Sequence, residues 1–445
     1  MNKESIVKII SCNTDGAKIC AAAARISTTK GTALTILESD RPAQKDDELI
    51  QKVLSSGHKS VIEHAVFTIA FNNVSAFVEQ FLIEFRLASF TVKSRRYVDF
   101  GAMGYYIPAL PDRAGEEYCA HMDYLFGEYN YLIAEGMPKE DARFVLPYCF
   151  YSNFYCTMNG RELTHVLRSI YWGRGAVYDE LRAIADQLKS QLAQVFPSIL
   201  GEIERPSQGE DIAFGNGTGT KFAENNVQLV SFPHNELGVL KMACDVAGGA
   251  WGYFGSDEEM IRYVLAKERK RELEQLHYSF LLSGVSLSGI THIARHRMQS
   301  VVIPPVATVD TGRFVVPDTV KKDGALLKRY LSAFQRTKEI MAELFGRADW
   351  DGQYRVYFAM GGHELTVATT MNARELLLFF SLRTCNRAQW EIREIAAAML
   401  RLLRERQPLL FEKMGPGCFV RGTCPEGRLS CGRMAAVKKE FEERR

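Results

Sequence analysis

The sequence predicts an α+β protein made of two tandem copies of one domain, each a sheet packed with long helices. Three observations predict this. Segments of the first half recur in the second at a near-constant offset, which is the mark of a duplicated domain rather than a solenoid. Strand-like and helix-like patterns do not alternate strictly, as a doubly wound sheet would require. A chain of 445 residues with 47% hydrophobic and 11% aromatic side chains can also fill more than one core.

The first copy is predicted over residues 1–200, a linker over 201–226 and the second copy over 227–445. In the first copy a short β-branched strand, "VKIISCN" (7–13), precedes an Ala-rich helix and a second helix at 46–55. An alternating strand follows, "VIEHAVFTIAF" (61–71), then a helix, "SAFVEQFLIEFRLA" (75–88). Longer helical stretches cover 114–135 and 160–194. The segment "GEIERPSQGEDIAFGNGTGTKFAENN" is polar and Gly-rich and reads as the linker. The second copy repeats the order. Val7 matches Val227 at an offset of 220, and "TMNGRELTHVLRS" (157–169) matches "TMNARELLLFFSL" (370–382) at an offset of 213. The shortening fits a loop missing from the second copy near the counterpart of "GTALTILESDRPAQKDDE".

Composition excludes several classes. A net charge of +2 and a pI near 8.0 give no global signal for nucleic acid or membrane. No apolar run approaches the roughly 20 residues of a membrane span, and the N-terminus lacks a signal-peptide apolar region. The ten scattered cysteines read as reduced thiols of a cytoplasmic protein, not a disulfide framework.

Four stretches carry candidate chemistry. In "THIARHRMQSVVIPPV" (291–306), Arg295, His296 and Arg297 follow an apolar run. Neighbouring helical residues point in different directions, so the three can wrap an extended anion across a helix end but not share one point. The competing reading is a solvated basic face. In "SRRYVDF" (94–100), Ser94, Arg95 and Arg96 could hold a phosphate, or form an exposed basic turn. In "SGHKSVIEHAVF" (56–67), His58, Glu63 and His64 lack helical metal-ligand spacing, so a hydrogen-bonded histidine at a strand start is preferred and no metal site is assigned. In "MNARELLLFFSLRTCNRAQWEIR" (371–393), Arg383 has an apolar neighbourhood and should have an anionic or carbonyl partner.

Taken together these stretches resemble the flavin-dependent thymidylate synthases. That family carries RHRxxSxNExSxRY after a helix, an SxxEH-type segment upstream, an ARxxLP helix and an AQWEIR segment near the end, and the resemblance runs once through each half. It implies FAD as cofactor, NADPH and methylenetetrahydrofolate as co-substrates, and dUMP methylated to dTMP. Family members are homotetramers with sites between subunits, so the tandem chain is expected to be a homodimer forming a pseudo-tetramer. Carried over position by position, the resemblance makes Arg383 the catalytic residue that polarises the pyrimidine. It gives Ser27, Ser60, Arg295, His296, Arg297, Asn372 and Arg374 to the cofactor. It gives Ser94, Arg95, Arg96, Arg143, His292, Arg295 and Arg383 to the nucleotide.

The departures are complementary. The first copy has Glu84-Phe85-Arg86 for the RHR cluster and Ile170 for the catalytic arginine, yet keeps Ser89, Ser94, Arg96, Tyr97 and the "DARFVLP" arginine, Arg143. The second copy keeps the RHR cluster, Ser300, Asn372 and Arg383, but reads "VIPPVAT" where NExSxRY should stand. Such a partition predicts two specialised halves of one kind of site. The family's Asn-Glu pair is absent from both copies, Thr91-Val92 in the first and Val302-Ile303 in the second. That absence leaves open a related enzyme acting on another pyrimidine nucleotide, or a non-catalytic flavin- or nucleotide-binding paralogue. In the tail, Cys418, Cys424 and Cys431 fall short of paired CxxC spacing, and a fourth ligand would have to come from elsewhere; the preferred reading is an exposed reduced loop.

Overall fold

The structure is a computed structural model and describes residues 3–204, 227–248, 254–348 and 350–443. All but the first four residues of the predicted linker therefore lie outside the described residues. In chain order the first repeat contains β1 (Ile6–Cys12), α1 (Gly16–Arg25), α2 (Ala43–Ser55), β2 (Val66–Ser75), α3 (Ala76–Ile83), β3 (Ala88–Val92), α4 (Asp112–Ala134), β4 (Tyr151–Asn159), α5 (Gly160–Tyr171) and α6 (Asp179–Val195). The second contains β5 (Val227–Ser231), α7 (Glu236–Gly248), α8 (Asp257–Ala266), β6 (His277–Ser286), α9 (Leu287–Ala294), β7 (Gln299–Val302), α10 (Gly324–Leu344), β8 (Glu364–Asn372), α11 (Ala373–Arg383) and α12 (Trp390–Arg406). Each repeat forms a four-stranded antiparallel sheet, in the orders β1-β2-β4-β3 and β5-β6-β8-β7. The fold is α+β, as expected.

The duplication extends to register. Phe67 pairs with Met158 in the first sheet, and Tyr278 with Met371 in the second. Both central strands carry an irregularity at the same place, between Phe71 and Val74 and between Leu282 and Val285. It needs one left-handed residue, which is Asn73 (φ 53°) in one copy and Gly284 (φ 73°) in the other. Asparagine and glycine are the residues that tolerate this conformation.

The described chain divides into two compact units. One comprises Met1–Gly219 with Pro317–Gly361, and the other Thr220–Val316 with Gly362–Arg445. Thus α10 belongs to the second repeat by sequence but packs in the first unit, against α4. Buried Ala114, Tyr118, Met122, Leu125, Tyr129 and Leu132 recur along α4 every three or four residues, which makes one apolar stripe. Across the α4–α10 seam, Arg329 grips Glu128 with two 2.8 Å bonds, and His121 Nε2 lies 3.1 Å from Thr337 Oγ1. Burial pushes His121 down to about 4.

Edge strand β1 is covered rather than exposed. From α6, Gln187 and Gln191 accept from the N–H groups of Val7 and Ile9 at 2.8 Å, and each donates back to a β1-side carbonyl. This satisfies backbone groups that would otherwise offer a pairing template.

Three elements differ from their predicted limits. The alternating strand begins at Val66, because Lys59–His64 forms a 3-10 turn latched by Asn13, whose side chain bonds Val66 N–H and His64 O. The following helix stops at Ile83, where the chain turns so that Ala88 can pair with Met158. The stretch 160–194 is two helices, broken around Gly173 and Gly175. A Cβ on Gly175 would sit 2.9 Å from Ile170 Cα, so the chain must pass there as glycine. Among the described residues, no helix is long and apolar enough to cross a membrane.

Candidate functional site

In the second unit the basic cluster is set by a fully buried helix. The run "LSGITHIA" has small and apolar residues all round, and every residue of α9, including His292, is buried. Ser286 caps the helix, accepting from Gly289 N–H at 2.9 Å. Ser286 is itself held by the buried Glu391 carboxylate, at 2.7 Å from its N–H and 2.5 Å from its hydroxyl. A Cβ on Gly289 would come within 2.9 Å of that carboxylate, so glycine permits the close approach.

The helix ends at Ala294, with Arg295 as its C-cap. Arg295 and Arg297 are exposed, while His296 between them is buried. Two basic side chains therefore face outward beside a helix C-terminus, where the helix dipole favours cations.

His296 sits in a linear chain of hydrogen bonds. Its Nδ1 is 2.9 Å from Glu375 Oε1, and Arg383 Nε donates to its Nε2 at 2.9 Å. Since Nε2 accepts, the proton belongs on Nδ1 and is donated to Glu375. The imidazole is neutral in this arrangement and links an anion to a cation. Phe379 holds the ring edge-on, with centroids 4.8 Å apart. Glu375, Phe379 and Arg383 lie four residues apart along α11, so they share one face of it. Asn372 starts that helix by accepting from Glu375 N–H at 2.8 Å, which fixes where Glu375 points. The effect is to lock the plane of the Arg383 guanidinium through residues behind it.

Arg374 faces elsewhere. It pairs with Glu274 and lines a groove of about 990 Å³ with Leu377, Leu378 and Phe419, a groove that includes no member of the 295–297 cluster. Arg387, the next arginine, donates to Leu429 O at 2.5 Å and Ser430 O at 3.2 Å. Arg383, expected to meet an anion or a carbonyl, reaches the Glu375 carboxylate through His296, while Arg387 meets two backbone carbonyls directly.

The equivalent place in the first unit has been refilled. Glu84 pairs with Arg174, whose guanidinium lies 4.6 Å over Phe81 and 5.5 Å over Phe85. Phe85 meets His165 edge-on at 5.2 Å. Ile170, at the position of Arg383, is buried. An acid already paired with an internal arginine and an aromatic plug do not fit an anionic cofactor; the second unit's outward pair of arginines does.

A different basic group is kept in the first unit. Arg96 clamps Glu140 with both oxygens, at 2.7 and 3.2 Å, and Arg143 Nε donates to Glu140 O at 3.0 Å. Ser94 Oγ accepts from Arg96 N–H at 3.3 Å. The structure thus brings Ser94, Arg96 and Arg143 together around Glu140. Arg95 goes inward instead: it is buried, 2.7 Å from Glu79 and 4.8 Å over the Phe150 ring. Ser27 is exposed in the turn after α1, and Ser60 is exposed in the 3-10 turn.

Sequence reasoning missed Glu140, Glu79 and Arg174, and the seat of Glu375 behind His296. Glu375 carried a signal, since a Glu three residues after an Asn at a helix start sits at a capping position. The others are met only through the fold.

Comparison with known proteins follows the same division. The family model described as "Thymidylate synthase complementing protein" matches residues 8–198 and 234–409. The chain is 34% identical over 183 residues to the flavin-dependent thymidylate synthase of Geobacter sulfurreducens, covering 40% of this chain and 78% of that one. The enzyme of the same name from Clostridium tetani is 30% identical, covering 47% and 88%, and that from Pyrococcus furiosus 28%, covering 49% and 96%. Each relative corresponds to about half of this chain but to most of itself.

Proposed function

This chain belongs to the thymidylate synthase complementing protein family, as a tandem duplicate, and from that premise we propose that it is an FAD-dependent thymidylate synthase. Its relatives are named flavin-dependent thymidylate synthases, and it is read here as a flavin-dependent methyltransferase of that kind. The proposed reaction is reductive methylation of dUMP at C5, with methylenetetrahydrofolate as carbon donor and NADPH as reductant.

The observation that carries this reading is the Glu375–His296–Arg383 chain, present only in the second repeat. A protein that merely bound a nucleotide would have little need of a guanidinium held in one plane by two residues behind it. When bound, the flavin supplies the hydride chemistry. Arg295 and Arg297, with buried His296 between them, would hold it, with Asn372 capping the helix that carries Glu375 behind them. Arg374, paired with Glu274 in a separate groove, is left out of that set, and Ser27 and Ser60 are assigned to the cofactor by resemblance alone. Arg383 would face the carbonyl–N3 edge of the uracil and stabilise negative charge developing there. In the first unit, Ser94, Arg96 and Arg143 would receive a nucleotide phosphate, a dianion that competes with the Glu140 carboxylate for the Arg96 guanidinium. Arg95 supports that loop from within through Glu79. His292 would act from beneath the cluster.

A second reading rests on a specific observation. Neither Thr91-Val92 on β3 nor Val302-Ile303 at the end of β7 can replace an Asn-Glu pair, and Val302 is 69% exposed. The absence of that polar pair from both copies motivates a different pyrimidine nucleotide as acceptor. One experiment separates the readings. The purified chain is reduced, supplied with methylenetetrahydrofolate and offered dUMP, UMP and dCMP in parallel, and methylated product is measured by mass spectrometry. Formation of dTMP from dUMP alone supports the proposal. Methylation of another nucleotide moves it to the second reading, and a flavin-loaded chain that methylates none refutes both.

A further inference from the structure

Four cysteines meet in the second unit. Cys385 stands two residues past Arg383, just beyond the end of α11, while Cys418, Cys424 and Cys431 come from the C-terminal tail. All four line one cavity of about 10 Å³, the space of a single water or ion. All are free thiols. The missing fourth member of the tail's cysteine group is thus supplied by the loop after the arginine helix.

Two N–H groups already point at these sulfurs. Arg387 N–H donates to Cys385 Sγ at 3.5 Å, and Asn386 Nδ2 donates to Cys431 Sγ at 3.8 Å. The tail also has little regular structure around these cysteines. Between Met414 and Met434 it has only Gly417–Arg421 and Gly427–Leu429 as helical turns, with left-handed Gly422, Gly427 and Gly432 bending the chain round the cavity. It is already docked on the Cys385 loop by the two Arg387–carbonyl bonds. A loop-rich segment with little apolar core is the usual setting for a structural metal. Four sulfur donors select zinc or iron over magnesium or calcium.

We propose that Cys385, Cys418, Cys424 and Cys431 bind one zinc ion, which fastens the C-terminal tail to the end of the helix carrying Arg383. Among the described residues, no three ligand-type side chains already stand in a metal-holding arrangement. The ion therefore draws the sulfurs inward from the cavity walls as it binds, releasing their protons. With four protein ligands the site is closed, and its role is structural.

The test uses the full chain, expressed with added zinc and purified under reducing conditions without chelator. Elemental analysis is expected to find about one zinc per chain. Cys385→Ser and Cys424→Ser are expected to lose most of it, and Cys12→Ser, on β1, to keep it. Should the serine variants fail to fold, cobalt(II) added to chelator-stripped wild-type chain is expected to give thiolate charge-transfer and tetrahedral d–d absorption, saturating at about one equivalent. Zinc retained in full by folded serine variants would overturn the proposal. So would an iron–sulfur chromophore, a disulfide among the four thiols of anaerobically alkylated protein, or wild-type chain with neither zinc nor a cobalt spectrum.

Discussion

Replacing Arg383 by lysine separates a catalytic arginine from a structural one. The substitution keeps the charge but removes the planar fork and the Nε donor that reaches His296 at 2.9 Å. His296 keeps its 2.9 Å bond to Glu375, so the buried carboxylate stays satisfied and the local fold should survive. One charge-assisted hydrogen bond is lost, typically about 1.5–3 kcal/mol when buried. Arg383 is half-exposed, which places the stability cost near or below the lower figure. The catalytic cost is larger. Loss of one preorganised donor to developing charge is about 2.7–4 kcal/mol in the barrier, or roughly 100- to 1000-fold in rate. The assay is single-turnover conversion of dUMP with pre-reduced flavin and methylenetetrahydrofolate, normalised to bound FAD, with a thermal melt of the same sample. Glu375→Gln serves as companion, since the amide oxygen can still accept from His296 Nδ1–H. It should fall between wild type and Arg383→Lys. Near-wild-type turnover of Arg383→Lys per flavin-loaded molecule, with a lowered melting temperature, would refute the reasoning and leave Arg383 a structural residue.

Arg297→Ala should lose flavin by roughly 10- to 150-fold in affinity, while Arg86→Ala at the equivalent place in the first repeat should hardly change it; absorbance of the bound flavin after gel filtration reads both. Burial raises Glu180 to about 7, against the pull of donors on Ser75 and Tyr357. The native chain then binds a proton that the unfolded chain releases near its ordinary carboxylate value, so the Glu180 contribution to stability is lost as pH rises through about 7. Buried His121 and His363, both pushed down to about 4, act with the opposite sign below their ordinary value. Urea melts should therefore show wild type losing stability relative to Glu180→Gln as pH rises from about 5 to 8. Light scattering at micromolar concentration should give a homodimer of the 445-residue chain; a flavin-loaded monomer would exclude the pseudo-tetramer.

Much of this protein is local and therefore legible in its sequence. The duplication is visible in "TMNGREL" and "TMNAREL", because both copies need the same strand end, the same Asn cap and the same buried glutamate. The apolar stripe of α4 is visible in its three- and four-residue spacing. The basic cluster is visible too, as three cationic-type residues that follow an apolar run.

What only the tertiary structure decided are the meetings of residues far apart in the chain. Glu375 and His296 are 79 residues apart, and no periodicity links them. Arg95 and Arg96 are neighbours of one type, yet one turns into Glu79 beneath the aromatic core and the other out to Glu140, because adjacent side chains leave the backbone in different directions. The loop carrying Cys385 meets the three tail cysteines only in the folded unit, where Arg387 also bonds the tail. The placement of α10 with the first unit is likewise settled by its Arg329–Glu128 ion pair and apolar face against α4, not by its position in the repeat. Sequence pattern reports which faces seek burial; long-range packing alone determines which partner buries them.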